Sequence, residues 1–295
     1  MEIKRIMVIG AGFMGSGIAQ VMAAAGYEVV LRDIAEEFIA RGMGALQKNL
    51  AGNVAKGKLT EADREAIVGR IQPTTELAPA KGCDLIIEAI IENREAKQDL
   101  FRQLEEICPA EVIFASNTSS IPITELATAT RRPDRFAGMH FFSPVPVMKL
   151  VEIIRGLKTS EETILAVRDL TEKIGKIGVF VKDGPGFLVN RVNAALRNEV
   201  YNCLAEGVAT IEDIDKALKF GLGHPMGPFE LGDFVGLDIG LAVAETLWDN
   251  FKDPKWRPSL LLRKLVVSGD LGRKTGKGWY DYTSGEKKTR TDIHL

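Results

Sequence analysis

The chain is 295 residues long, enough for two domains and a large buried core. Its 38 basic and 40 acidic side chains nearly cancel, which leaves no charge excess to draw it to a nucleic acid or a membrane surface. Cys83, Cys108 and Cys203 are an odd, widely spaced set with no C-x-x-C pair, the pattern of reduced, packed thiols in a cytoplasmic protein, and no metal site is expected.

Near the N-terminus, Ile6-Met-Val-Ile reads as a strand, Gly10-Ala-Gly12-Phe13-Met14-Gly15 as a glycine turn leading into a helix, and Tyr27 to Leu31 as a second strand. Gly10 allows a tight turn, Gly12 removes the Cβ that would hold a diphosphate off the backbone, and Gly15 lets the helix lie close. The turn, with Phe13 and Met14, is therefore expected to cradle a dinucleotide. Asp33 follows Gly15 by 18 residues, at the end of the second strand, where a carboxylate can accept the ribose hydroxyls of an adenosine. That favours NAD over NADP, while neighbouring Arg32 keeps the phosphorylated form open. The uncharged run Ile6 to Gly26 after Lys4-Arg5 also imitates a signal peptide or a membrane span. Glycines at 10, 12, 15 and 17 argue against this, since each costs a helix interior roughly 1 kcal/mol relative to alanine.

After Asp33 two helices are predicted, Glu36 to Val54 and one starting at the Thr60/Asp63 capping pair, so that a helical hairpin at about 35–70 is inserted in the sheet. The basic turn between them, Ala55-Lys56-Gly57-Lys58, is either a solvated tip or a place to hold an anionic substrate. The sheet resumes at Asp84 to Ile90, an apolar run interrupted by Glu88. A helix from Arg94 to Ile107 follows, then a strand from Val112 to Ala115. Ser116 to Ser120 closes that strand with hydroxyls on the ligand side of the sheet, and Pro122 opens a helix. Strands are expected around Arg135 to Phe142, Leu150 to Ile154 and Gly178 to Val181, with a helix from Glu161 to Ile174. The turn cluster Asp183-Gly-Pro-Gly186 marks the domain boundary, giving domains 1–183 and 184–295. Beyond it the spacing becomes helical. Leu188, Val192, Ala195, Leu196, Val200, Cys203 and Leu204 form one predicted apolar stripe, and further helices are expected from Thr210 to Gly221, Leu237 to Trp248 and Ser259 to Val267. The fold class is thus α/β: a Rossmann-type, mostly parallel sheet with a helical insertion, followed by a smaller all-α domain. A polar tail, Ser284 to Leu295, is expected to fray.

A dehydrogenase needs a group that takes a proton while a hydride leaves the same carbon. Of three histidines, His294 is next to the C-terminus, and His224 sits in a rigid Gly/Pro connector that points to a structural role. His140, at a strand end on the ligand side, is the candidate, although an apolar-flanked histidine is often only a core residue. Glu152 lies in the apolar run Leu150-Val-Glu-Ile-Ile. Burying it unpaired would cost several kcal/mol, so it needs a partner. If that partner is His140, the pair is a general base with its orienting acid.

Three stretches, Phe114-Ala-Ser-Asn-Thr-Ser-Ser120, Arg135-Phe-Ala-Gly-Met-His140-Phe-Phe-Ser-Pro-Val-Pro-Val-Met-Lys-Leu-Val-Glu152 and Asp183-Gly-Pro-Gly-Phe-Leu-Val-Asn190-Arg191, together resemble the short-chain L-3-hydroxyacyl-CoA dehydrogenases, the bacterial 3-hydroxybutyryl-CoA enzymes above all. The resemblance runs through Gly272-Arg-Lys274-Thr-Gly-Lys-Gly278 and covers essentially the whole chain. It implies reversible NAD-dependent oxidation of an L-3-hydroxyacyl-CoA thioester, with His140 as base, Glu152 as its orienter, and Ser119 and Asn190 bonding the reacting oxygen in a site between the domains. It also implies cofactor contacts from Glu92, Lys97, Ser119, Ser143 and Lys274, and contacts to the acyl-CoA substrate from Lys56 and Asn49. Mitochondrial members carry Asn where this chain has Ser143 and Ser where it has Asn49; both replacements still hydrogen-bond. A cytoplasmic bacterial homodimer, joined through the helical domain and without a transit peptide or fused hydratase domain, is the implied form. The rivals are an NAD-binding protein without activity and a dehydrogenase of free 3-hydroxy acids.

Overall fold

The structure is a computed structural model in which residues 2–292 are described; His294 and the end of the tail lie outside them. The chain divides into two compact units after Phe187.

The first unit opens with β1 (Arg5–Ile9), α1 (Phe13–Ala24) and β2 (Glu28–Arg32). The insertion follows as α2 (Glu36–Ala55) and α3 (Glu61–Gly69), the latter held by a Thr60/Asp63 capping box. The uncharged N-terminal run is thus a strand, a turn and a helix, and among the described residues no helix is long and apolar enough to cross a membrane. Next come β3 (Ile71–Thr74), β4 (Leu85–Glu88), α4 (Arg94–Ile107), β5 (Ile113–Ser116) and α5 (Ile123–Ala127). The unit closes with β6 (Phe136–Phe141), β7 (Leu150–Arg155), α6 (Glu161–Lys173) and β8 (Ile177–Lys182).

The eight strands lie in the order β3-β2-β1-β4-β5-β6-β7-β8, and among them only β6 and β7 pair antiparallel. Side chains of β1 alternate between the two faces. Ile6 and Val8 join Ile18 and Met22 of α1, while Met7 and Ile9 join Leu100, Phe101 and Leu104 of α4. The sheet is therefore buried on both sides, as parallel sheets are. The strand order reverses between β1 and β4, and it is outside the carboxyl ends of strands at such a switch that ligands bind.

The strand β3 is absent from the sequence expectation because Pro73 sits inside it. As the edge strand it tolerates a residue that cannot donate to a ladder on its open side. Pro122 is the N-cap of α5 rather than its first residue, and the Asp183 carboxylate accepts the Ile123 and Thr124 N–H groups at 3.0 and 2.7 Å.

The second unit is mostly helical: α7 (Val189–Ala205), α8 (Ile211–Gly221), α9 (Pro228–Val235), α10 (Leu237–Phe251) and α11 (Leu260–Val267), with a short antiparallel hairpin of β9 (Tyr280–Asp281) and β10 (Lys288–Thr289). The predicted stripe on α7 is corrected. Leu188 and Val192 are exposed, and the buried line is Ala194, Arg197, Val200 and Tyr201, rotated because Tyr201 stacks on Trp279 at 5.0 Å between centroids. The tail is also corrected over its described part, since β10 pairs with β9 and the Arg290 guanidinium donates to Asp270 at 2.7 Å and to the Gly278 carbonyl at 2.9 Å.

Candidate active site

The glycine turn runs from the end of β1 into α1. Gly10 has φ 104°, a conformation that side-chain-bearing residues rarely adopt, and a Cβ there would collide with the Ala89 carbonyl at the end of β4. A Cβ on Gly15 would strike the Gly10 carbonyl, so the close approach that needs Gly15 is to the turn itself more than to the strand. Gly12 differs: a Cβ there would meet nothing within 4 Å. No protein neighbour demands glycine at this position, and what its absent side chain leaves room for is a ligand lying on the backbone at the start of a helix.

A cavity of about 550 Å³ opens at this place, lined by Gly10, Gly12, Asp33 and Phe38 on one side of the switch and by Ala89 and Ile90 on the other. The Asp33 carboxylate accepts the Ala11 N–H at 2.6 Å and the Ile34 N–H at 2.7 Å, which ties the end of β2 to the glycine turn. Phe13 and Met14 begin α1; Phe13 is exposed and Met14 half-buried. The space, the open backbone and the carboxylate together fit a dinucleotide.

Beneath the neighbouring strand ends lies a buried ionic cluster. Glu88, at the end of β4, and Lys97, in the first turns of α4, are 0% and 1% exposed, with Nζ 2.5 Å from Oε1. Glu88 also accepts the Ser116 hydroxyl at 2.5 Å and the Ile90 N–H at 2.7 Å. Burial holds its carboxyl above the ordinary range despite Lys97 and these bonds. Lys97 reaches Glu92 at 3.2 Å as well. Glu92 fastens the loop after β5, accepting the Thr118 hydroxyl at 2.6 Å, the Ser119 N–H at 3.0 Å and both the N–H and hydroxyl of Ser120. Burial pushes the Glu92 carboxyl up, but Lys97 and these donors outweigh it and leave it below its ordinary value.

His140 and Glu152 meet because β6 and β7 run antiparallel with these two residues directly paired in register. The His140 Nδ1 stands 2.7 Å from Glu152 Oε2, and the residues are 6% and 0% exposed. The imidazole lies against the rings of Phe142 and Phe187, at 4.6 and 5.7 Å between centroids. Asn117 accepts the Phe141 N–H at 2.9 Å and so links the loop after β5 to the strand carrying His140. Ser143 follows β6 and is exposed, and its loop leans on α1, where a Cβ on Gly17 would press against Val145 at 2.9 Å.

Asn49 lies on α2 with its carboxamide oxygen accepting from Gln20 at 2.9 Å, and Lys56 caps the exposed end of α2 before Gly57. In the second unit, Asn190 is half-buried in the first turn of α7, and Lys274 donates to both carboxylate oxygens of Asp238 at 2.6 Å. His224 lies in the connector before α9. Four participants were missed from the sequence: Phe142, Phe187, Asn117 and the positioning role of Glu88. Glu88 alone left a signal, as an acid in a buried strand.

A doubly wound sheet with a glycine turn at its switch point, and a buried histidine–carboxylate pair at a strand end, defines a dinucleotide-dependent oxidoreductase. Residues 5–184 match the 3-hydroxyacyl-CoA dehydrogenase NAD binding domain, and residues 186–282 match the C-terminal domain of the same enzymes. The chain belongs to the 3-hydroxyacyl-CoA dehydrogenase family. It is 53% identical over 289 residues to a probable 3-hydroxybutyryl-CoA dehydrogenase of Bacillus subtilis, covering 98% of this chain and 100% of that one. It is 44% identical to the mitochondrial hydroxyacyl-coenzyme A dehydrogenase of Homo sapiens, covering 95% of this chain and 91% of that one. The crystal structure of the (S)-3-hydroxybutyryl-CoA dehydrogenase PaaH1 from Ralstonia eutropha superposes with a TM-score of 0.93 at 47% identity, covering 96% of this chain and 100% of that one.

Proposed function

We propose that the chain catalyses the reversible, NAD-dependent oxidation of short-chain L-3-hydroxyacyl-CoA thioesters, 3-hydroxybutyryl-CoA foremost, to the 3-oxoacyl-CoA. The observation that carries this reading is the 2.7 Å contact between His140 Nδ1 and Glu152 Oε2 inside a dinucleotide fold. A carboxylate can only accept, so the bond requires the proton on Nδ1 and leaves the Nε2 lone pair to receive the proton of the 3-hydroxyl. Glu152 then stabilises the imidazolium that results, and the adjacent Phe142 and Phe187 rings keep the imidazole from turning. NAD held at the glycine turn and Asp33 would supply the acceptor for the hydride of C3.

In this reading Ser119 and Asn190 donate to the reacting oxygen, and the Glu92–Lys97 cluster together with Ser143 and Lys274 serves the nicotinamide end. Lys56, exposed at the end of α2, and Asn49, about two turns earlier along the same face of that helix, meet the phosphates of coenzyme A. Exposed Phe220, Leu222, Ile239 and Val267 support a homodimer through the helical unit, and the free thiols Cys83, Cys108 and Cys203 support a cytoplasmic setting.

The test is reduction of acetoacetyl-CoA and of free acetoacetate by NADH, in the unaltered chain and in His140→Ala. Turnover of the thioester alone, falling by about 10²-fold or more in the variant while NADH still binds, is the expected result. Equal use of the free acid would overturn the substrate class, and near-normal turnover by the variant would remove His140 from the mechanism.

A further inference from the structure

Helix α2 lies tight against the glycine turn: a Cβ on Gly42 would come within 2.2 Å of the Ala11 carbonyl oxygen. About two turns further along α2 stands Asn49, which is exposed, and facing it from α1 is Gln20, which is 6% exposed. The Gln20 amide donates to the Asn49 carboxamide oxygen at 2.9 Å, and the Asn53 amide, one turn on, donates to the same oxygen at 3.4 Å. Both bonds to the Asn49 side chain thus end on its oxygen, and its N–H2 group has no hydrogen-bond partner among the described residues. From Phe38 to Thr60 the chain carries Arg41, Lys48, Lys56 and Lys58 and no acid, and none of the four cations is in a salt bridge among the described residues. The insertion therefore offers an anion unpaired positive charge beside an unpaired N–H2 donor.

An ionised phosphate oxygen can only accept, so a carboxamide meets it well through its nitrogen and poorly through its oxygen. An asparagine free to turn presents either end, and a buried donor behind it decides which. We infer that Gln20 is a positioning residue for the thioester substrate: it holds the oxygen of Asn49 inward and leaves the N–H2 group to donate to a coenzyme A phosphate. The inference rests on the proposed contact between Asn49 and coenzyme A, and adds the group that sets its polarity. Gln20 needs no contact of its own with the substrate. One helix then serves both ligands, the dinucleotide through its first residues at the glycine turn and the thioester through Gln20, about two turns in.

The experiment measures kcat and KM with NADH for acetoacetyl-CoA and for acetoacetyl-pantetheine, which lacks the nucleotide phosphates. Gln20→Glu places an acceptor where a donor stood, so the Asn49 carboxamide turns its nitrogen inward and its oxygen outward. KM for acetoacetyl-CoA should rise about tenfold, with kcat within about twofold of the parent and NADH binding, followed by fluorescence, unchanged. KM for acetoacetyl-pantetheine should stay at the parent value, whereas a general disturbance of the fold would raise both. Gln20→Met, which lets the carboxamide turn freely, should raise KM for acetoacetyl-CoA by about threefold. In Asn49→Ala that KM should rise about tenfold, and adding Gln20→Met should raise it no further. An unchanged KM in Gln20→Glu while Asn49→Ala raises it, an equal rise with both thioesters, or a further rise in the double variant overturns the role of Gln20 and leaves the Asn49 contact standing. An Asn49→Ala chain with the parent's KM removes that contact, and the inference with it.

Discussion

Glu152 owes its place to a pairing that reverses the run of the sheet. Had β7 continued parallel to β6, residue 152 would not face 140 across a ladder; antiparallel pairing puts them opposite each other, close enough for a 2.7 Å bond. The residue pair was legible in the sequence, because an acid inside Leu150-Val-Glu-Ile-Ile demands a partner and one strand-end histidine was available. The phenylalanines that hold the ring were not, since Phe142 and Phe187 have the spacing of ordinary core residues and only the fold brings them to the imidazole. Replacing Glu152 by glutamine keeps the shape and one acceptor but removes the charge that stabilises a protonated ring. Turnover should fall by at least about tenfold, yet by less than in His140→Ala, and the acid limb of the pH profile should move to lower pH. Steady-state rates measured across pH decide the matter: an unmoved acid limb would make Glu152 a packing residue.

At the level of elements, the site depends on how α4 is pinned to the strand ends. α4 buries Leu100, Phe101 and Leu104 on one face and carries Lys97 along that face into the sheet, where it neutralises Glu88. Through Glu92 the same ammonium supports the loop holding Ser119. The helix was legible in the sequence over Arg94 to Ile107, but the cluster was not: Glu88 announced itself as a buried acid, whereas Lys97 is singled out only by the family resemblance, as a cofactor contact, and its burial against Glu88 follows only from docking the helix. β3 escaped for a related reason, since Pro73 disqualifies a central strand and only the finished sheet makes Ile71–Thr74 an edge. Lys97→Met would strand a carboxylate that is wholly buried, with an expected loss of about 3–5 kcal/mol in unfolding free energy by urea titration. Adding Glu88→Leu should recover most of the stability while turnover stays depressed, because the link to Ser116 is gone and the ammonium no longer supports Glu92. If the single variant is as stable as the parent, or the double variant regains full turnover, the cluster does not position the loop.

Over the whole molecule, buried carboxylates give the chain an unusual response to acid. Glu88 in the first unit and Asp215 and Asp233 in the second are all held above the ordinary carboxylate range, chiefly by burial, with Asp233 raised to about 6. Their burial follows from their work. Asp215 accepts the Phe229 and Glu230 N–H groups at the start of α9 and the Tyr280 hydroxyl at 2.8 Å, and Asp233, near the end of α9, accepts the Trp279 and Tyr280 N–H groups at 2.8 and 2.9 Å, so that the two acids clamp the hairpin onto one helix. That clamp was invisible in the sequence: the Gly/Pro connector reads as ending at Pro228, where α9 begins, no helix is expected over the residues that follow it, and Asp215 on α8 and Asp233 on α9 look like solvated acids. A carboxyl whose folded value exceeds its unfolded value of about 3.9 stabilises the fold fully below that unfolded value, and the contribution is lost as pH rises through the folded one. For Asp233 the window runs from about 4 to about 6. Carboxyls held low, such as Glu92 and Asp238, act oppositely, but their stabilisation disappears only as pH falls below about 4. Acidification from pH 7.5 to pH 5 should therefore raise the thermal unfolding midpoint before further acid lowers it. In Asp233→Asn, whose amide cannot ionise, the rise over that interval should shrink. Calorimetric scans at several pH values provide the measurement, and a midpoint that is level or falls between pH 7.5 and 5, or a variant with the parent's slope, would mean that the buried carboxylates of the α9 clamp do not set the acid response.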